Sequence, residues 1–435
     1  MVIQYKFSLI STSANILSDS MFSFRNSNLC PSCGSLVWRH KSSCPVLKRV
    51  LSNLQIKSLI TSNEIFGSSP PSVLVGEDQY PKINAGVLLP PETGNTAIFD
   101  APKTWYQNKM GLEDIFQYRV SLVNAKKRFE TTSAKNPDRH LSMIQEIAAS
   151  SLSLDTEVVL KNKPRIALYF DPHAPPHGPT GLIEKARITE NPKIERKVDY
   201  IISDADLKAT KAVISLYKDG YDVYQISKIL SVGLLGMKIQ RKLVPTKWSI
   251  TATDSIIINN LLKEVRQNNL INELRIYEGN YLGNYFEIIL VPTQWMFEQI
   301  EMAVAGGPWT KEKSEPIITA DHEFYWGRKT YATNVAGGYY AAEIAVLDYL
   351  NSIKRQAGIL IVREIRPEYY APIGVWKVRE IVRDALRNKP IVCDDINQVI
   401  RRIDSMFITK SNTWKKHSKI LDSMFHQKKI NQFIK

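Results

Sequence analysis

The run Gly358 to Ile365, Gly-Ile-Leu-Ile-Val-Arg-Glu-Ile, restricts the fold more than any other feature of the chain. Its aliphatic residues follow one another without polar alternation, which reads as a buried strand. Helical spacing precedes it over Tyr339 to Arg355 and follows it over Val375 to Arg387. Upstream, Leu274 to Tyr277 and Tyr285 to Val291 form a hairpin-like pair around Gly279-Asn280 and Gly283-Asn284, and a helix is expected from Gln294 to Ala305. Strands and helices interspersed in this way give an α+β fold, a mixed sheet core with flanking helices. No internal repeat is present.

A chain of 435 residues exceeds one ordinary core, so two or three domains are expected. Lys and Arg total 57 against 43 Asp and Glu, a formal charge of +14 that attracts phosphate backbones or anionic surfaces. Nucleic acid is the natural partner class. The most apolar run, Ser255 to Leu262, is broken by Asn259 and Asn260, which excludes a membrane span. The first twenty residues lack the order of a signal peptide, so a cytoplasmic protein is expected, and Met21 offers a second start position.

Residues from Asn63 to Tyr106 are rich in Pro and Gly and read as strands and turns. Helical spacing then runs from Phe116 to Ser150, interrupted near Asn136-Pro137, with Arg119, Lys126, Lys127 and Arg128 expected to face water. Arg165 to Phe170 reads as a strand feeding the loop His173 to Thr180, whose prolines forbid a helix carrying both histidines on one face. Asp204 to Leu230 reads as two short helices around Gly220, a helix-turn-helix pattern, although such pairs are common in proteins that never touch DNA and that reading is favoured here.

Three of the four cysteines cluster as Cys30, Cys33 and Cys44, with His40 among them. Three thiolates and an imidazole at these spacings can close a tetrahedron around Zn2+, a structural staple for a short segment. A redox pair or a chance cluster is the competing reading.

Lys247, Trp248, Ser249, Thr251 and Asp254 place a cation, an aromatic face, hydroxyls and a carboxylate within eight residues, a set that suits a nucleotide. The competing reading makes Trp248 core and the hydroxyls a helix cap. Asp321, His322 and Glu323 precede Arg328 and Lys329, while Arg363, Arg379 and Arg383 add cations near the buried strand. Converging, these would form a pocket for a nucleotide or a nucleic-acid end, and the competing reading is buried Arg and Glu pairs that merely hold the core. Hydrolysis of a nucleotide or phosphodiester is open, with Asp254, Asp321, His322 and Glu323 as candidates and no nucleophile legible from spacing.

The segment Arg241-Lys-Leu-Val-Pro-Thr-Lys-Trp-Ser-Ile-Thr-Ala-Thr-Asp254 resembles the signature of the archaeal Nre family of DNA-repair proteins. The resemblance continues through Asn280 to Asn284, Pro292 to Trp295, Asp321-His-Glu323, Gly327-Arg-Lys329, Gly337 to Tyr340 and Pro372 to Glu380, so it spans nearly the whole chain. It implies a nucleoid-associated repair factor that meets DNA. The ending Gln427-Lys428-Lys429-Ile430-Asn431-Gln432-Phe433-Ile434 matches the peptide pattern that binds the replication sliding clamp (PCNA), a second hallmark of the family. In a tight 3₁₀ turn Ile430 and Phe433 share one side, with Gln427 at the edge of a hydrophobic pocket. A terminal helix packed on its own domain is the alternative. Three departures stand out: His40 near the third position of what in relatives resembles a four-cysteine site, Lys247 where they resemble arginine, and Ile434 in place of a second aromatic.

The expected order is therefore a disordered segment or mis-assigned start over 1–28, a zinc knuckle over 29–60, a core over 61–405 with subdomains 61–235 and 236–405, and a basic connector with a flexible clamp-binding tail over 406–435.

Overall fold

The computed structural model describes residues 62–164, 173–310 and 313–426, which fall into two units. The first comprises residues up to 260 together with Ala371–Lys377, and the second Leu261–Tyr370 with residues from 378 onward. The Cys30, Cys33, His40 and Cys44 set, the Arg165 to Phe170 strand and the Gln427 to Lys435 tail lie outside the described residues.

In the first unit β1 (Glu64–Ser69), β2 (Val73–Val75), β3 (Lys82–Leu89), β4 (Val123–Glu130), β5 (Leu154–Leu160) and β6 (Thr180–Ile188) form one sheet in the order β1-β5-β6-β4-β3-β2. The β4–β6 pair is parallel and the rest antiparallel. Along β5 the residues Leu154, Thr156, Val158 and Leu160 alternate inward, the period of a half-buried strand. Two short helices follow β3, α1 (Pro102–Gln107) and α2 (Leu112–Ser121). Next, α3 (Arg139–Ala149) packs Leu141, Ile144 and Ile147 among Val75, Ile83, Val87 and Val158. Asp138 starts α3 by accepting the Leu141 N–H at 2.9 Å. Beyond β6 come α4 (Arg196–Ser203), α5 (Ala209–Lys218), α6 (Val223–Ser231) and α7 (Thr246–Val265). Gly220, at φ +89°, turns α5 into α6, as the sequence pattern anticipates.

The segment Phe116 to Ser150 is not one helical stretch. Strand β4 interrupts it, because Val123, Ala125 and Phe129 bury in the sheet core and the backbone pairs along β3 over its whole length. The basic residues there also meet protein partners. Arg119 is buried and donates to Asp100 at 2.7 Å and to the Pro176 carbonyl at 2.7 Å, and Lys127 pairs with Asp138 at 2.8 Å. Arg128 donates to Gln79. The Ala371–Lys377 segment returns to this unit: Val375 donates to the His173 carbonyl at 3.1 Å, and Trp376 meets Trp105 edge-on at 5.4 Å. Gly374 has φ +91°, and a Cβ there would lie 2.9 Å from the Ala174 backbone, so only glycine fits.

The second unit is built on β7 (Leu274–Tyr281), β8 (Asn284–Val291), β9 (Met296–Ala303), β10 (Ile317–Glu323), β11 (Gly358–Ile365) and β12 (Ile391–Cys393), in the order β10-β9-β11-β8-β7-β12. All eight residues of β11 are buried, as its apolar run demands. It pairs parallel with β9 and antiparallel with β8. One sheet face carries α8 (Gly337–Ser352) and α9 (Trp376–Ala385), seen in the Phe297–Tyr339 contact and in Gly279 lying under Ile381 and Ala385. The other face packs Ile289, Ile300, Leu360 and Val362 against α10 (Ile396–Met406), α11 (Ser411–Trp414) and α12 (Lys419–His426).

Two expectations fail here. Gln294 to Ala305 is strand β9 rather than a helix. Lys410 to Lys419 is part of the packed fold rather than a connector: Trp414, Ile420 and Leu421 are buried, and each such side chain stabilises the docking by roughly 1.5–3 kcal/mol. Two buried carboxylates fix this segment. Glu364 accepts the N–H groups of Ile408 at 3.1 Å and Thr409 at 2.7 Å, and Glu298 accepts those of Lys419 at 2.7 Å and Ile420 at 3.1 Å.

Candidate nucleic-acid interface

Lys247, Trp248, Ser249 and Thr251 occupy the first turns of α7. Lys247 forms an ion pair with Glu77 in the turn between β2 and β3, and Trp248 donates its indole N–H to the same carboxylate at 3.1 Å. The Trp248 ring lies against Tyr80 at 5.3 Å. Ser249 and Thr251 donate to the helix's own carbonyls, those of Thr246 at 2.8 Å and Lys247 at 3.4 Å. Thr246 accepts the Val75 N–H at 2.9 Å, which ties the start of the helix to β2. Asp254 is buried two turns farther along. The set predicted to hold a nucleotide thus fastens α7 to the β2–β3 hairpin, with Glu77 on the cation.

The Asp321 constellation belongs to the second unit, and the Lys247 set to the first. Asp321 and Glu323 stand on the α8 side of β10, opposite Gln299 and Phe297 of β9. Asp321 accepts the N–H groups of Asn334 and Val335, each at 2.8 Å, and faces Arg328 at 3.2 Å. Glu323 accepts the Trp295 indole N–H at 2.9 Å. Burial pushes the Glu323 carboxyl up, against hydrogen bonds from Trp295 and Glu343 and the nearby Arg266 and Arg328 charges. Burial and the Arg328 charge lower the basicity of His322, against Asp321.

Arg328 is the staple of the loop that follows. Its guanidinium donates to the carbonyls of His322 at 2.7 Å, Tyr331 at 3.2 Å and Thr330 at 3.3 Å, and it lies over the Tyr339 ring at 5.4 Å. The loop opens with a tight turn, in which Gly327, at φ +77°, donates to the Phe324 carbonyl at 2.8 Å. Tyr325 packs under Arg266 at 5.2 Å. Trp326 projects from the corner with 86% of its surface exposed, and Phe324 with 49%. Lys329, three residues after Trp326, is exposed. Trp326 and Phe324 were passed over in the sequence, where the legible signal is the unbroken aromatic run Phe324-Tyr325-Trp326 before Gly-Arg-Lys.

Arg363 is buried in an ion pair with Glu301 at 2.6 Å and donates to Asn284 at 3.1 Å. Arg383 pairs with Asp348 at 3.1 Å and Glu380 at 3.4 Å, and Arg379 is fully buried. These arginines tie β8, β9 and α8 together within the unit. Among the described residues no three His, Cys, Asp or Glu side chains gather into a metal-binding group, and no helix is long and apolar enough to cross a membrane.

The N-terminal family model described as "Archaeal Nre, N-terminal" matches residues 39–310, and "Archaeal Nre, C-terminal" matches residues 323–433. The chain is 35% identical to the "DNA repair protein NreA" of Archaeoglobus fulgidus, over 86% of this chain and 94% of that one. It is 33% identical to the protein of the same name from Haloferax volcanii, over 80% and 84%, and 32% identical to the "DNA repair protein NreB" of Archaeoglobus fulgidus, over 86% and 92%. No solved structure matches. With both family models matched in order and relatives aligned along most of their length, this chain belongs to the archaeal Nre family.

Proposed function

We propose that this protein is a DNA-repair factor that acts at the nucleoid, binds DNA and is recruited by the replication sliding clamp (PCNA) through Gln427, Ile430, Phe433 and Ile434. The observation that carries the repair reading is the alignment with relatives named as DNA repair proteins across 94% and 84% of their lengths. Support for clamp recruitment comes from the tail sequence and from the family match, which extends to residue 433. The net charge of +14 supports the DNA partner. Cys30, Cys33, His40 and Cys44 would hold a structural Zn2+ by the chemistry of their donors.

The alternative, a nucleotide- or DNA-end-processing pocket, is less favoured. Lys247 already faces Glu77, and the Asp321 carboxylate is taken up by Asn334, Val335 and Arg328. Deleting the gene and challenging cells with DNA-damaging agents tests the repair reading. Sensitivity restored by the intact gene, and only partly by one with Phe433→Ala and Ile430→Ala, is expected; unchanged survival under every agent would overturn it.

A further inference from the structure

We propose that the Phe324 to Gly327 turn is a stacking platform for unpaired bases of single-stranded DNA, with Trp326 and Phe324 supplying ring faces and Lys329 meeting the backbone phosphate. This rests on the DNA-binding reading above and specifies its substrate class. Trp326 and Phe324 hold 86% and 49% of their surface exposed, which leaves ring area free for a base to land on. The mount is stiff: Gly327 closes the turn on Phe324, Arg328 pins the loop through three backbone carbonyls, and His322 meets Phe324 edge-on at 5.2 Å. A pre-set aromatic face loses little conformational entropy when a base lands on it.

Charge selects the occupant. Residues 324–331, Phe-Tyr-Trp-Gly-Arg-Lys-Thr-Tyr, contain no acid, and with Arg328 paired to Asp321 the exposed cation is Lys329. Nearby Asp321 and Glu323 are buried, the first neutralised by Arg328. Arg266 sits behind the turn, with Nε and Nη2 buried and without a hydrogen-bond partner, and adds positive potential. Aromatic faces among cations and without an acidic rim suit a nucleic acid better than an apolar protein patch, and only unpaired bases offer a free face to stack on.

The test is fluorescence anisotropy of a labelled oligothymidylate, the same strand with abasic sites, and a duplex, against the full-length protein. Trp326→Ala should weaken binding to the oligothymidylate about tenfold, the scale of one stacked base, and leave the abasic strand unaffected. Trp326→Phe should retain most of the affinity, and Lys329→Gln should lower the slope of log affinity against log salt by about one. The high exposure of Trp326 leads us to expect unchanged melting for both tryptophan variants. Equal affinity of parent and Trp326→Ala for the oligothymidylate, or an equal loss on the abasic strand, overturns the proposal. So does a self-association of the parent, seen in sedimentation, that Trp326→Ala abolishes. Parent protein that binds the duplex but no single strand removes this proposal alone, whereas binding to neither removes the DNA-binding reading with it.

Discussion

Glu298 on β9 accepts the backbone N–H of Lys419 at 2.7 Å, so a carboxylate in the middle of a sheet begins the last described helix. Ile420 N–H and the Ser418 hydroxyl reach the same side chain. The residues before the proposed clamp motif are thus held by the core, and the motif starts directly after α12.

Removing that acceptor should release the segment first. Glu298→Ala is expected to cost about 2–3 kcal/mol, because buried donors lose their partner, and Glu298→Gln about half as much. Limited proteolysis should cut near Lys415 to Lys419 in the alanine variant before the rest of the chain. Cleavage at the parental rate would show that the anchor is dispensable.

The Glu77 and Lys247 pair is partly exposed, so solvent screening limits its worth. A double-mutant cycle with Glu77→Gln and Lys247→Met should give a coupling of about 1 kcal/mol in thermal melts. If Lys247 served phosphate instead, its loss would lower DNA affinity with little coupling to Glu77.

Acid should act through Asp100. Burial opposes its charge, yet Lys228 and Arg119 outweigh burial and hold the carboxyl at about 2. A depressed acid stabilises the fold above its unfolded value near 3.8, and that contribution is lost as pH falls through about 2. Asp100→Asn should therefore cost about 2 kcal/mol or more at neutral pH, with the difference from the parent fading below pH of about 4. A difference that persists undiminished in acid would refute the assignment.

Glu287 should act in the opposite direction. Burial and the neighbouring Glu278 raise its carboxyl to about 8, against Arg402. The folded protein keeps a proton that the unfolded chain gives up above about 4.5, so stability falls as pH rises toward 8. Glu287→Gln is expected to melt with the parent near pH of about 4 and to exceed it at pH of about 9, by on the order of 4 kcal/mol. Equal melting at both values would count against it.

What the sequence discloses follows from where each element finds its partners. The β11 strand and the β7–β8 hairpin are legible because aliphatic runs and glycine turns are local signals. Strand β9 hides its period. Its Glu298 and Gln299 are both buried, and Glu298 is satisfied by Ser418, Lys419 and Ile420, about 120 residues away. The stretch Ala125 to Arg128 likewise reads as a charged helix until β3 pairs with it. At the candidate site the chemistry of Lys247 and Asp321 was legible, but their carboxylate and arginine neighbours are set by tertiary packing, which spacing does not encode. Trp326 was visible in the chain, and only its exposure at a turn corner gives it meaning.

Calorimetric titration of the cognate sliding clamp with the full-length protein, and with a variant lacking Gln427 to Lys435, tests the central claim most directly. Clamp recruitment predicts saturable binding by the full chain and none by the truncated one, with melting unchanged by the truncation. Binding of equal strength by both, or by neither, would contradict it.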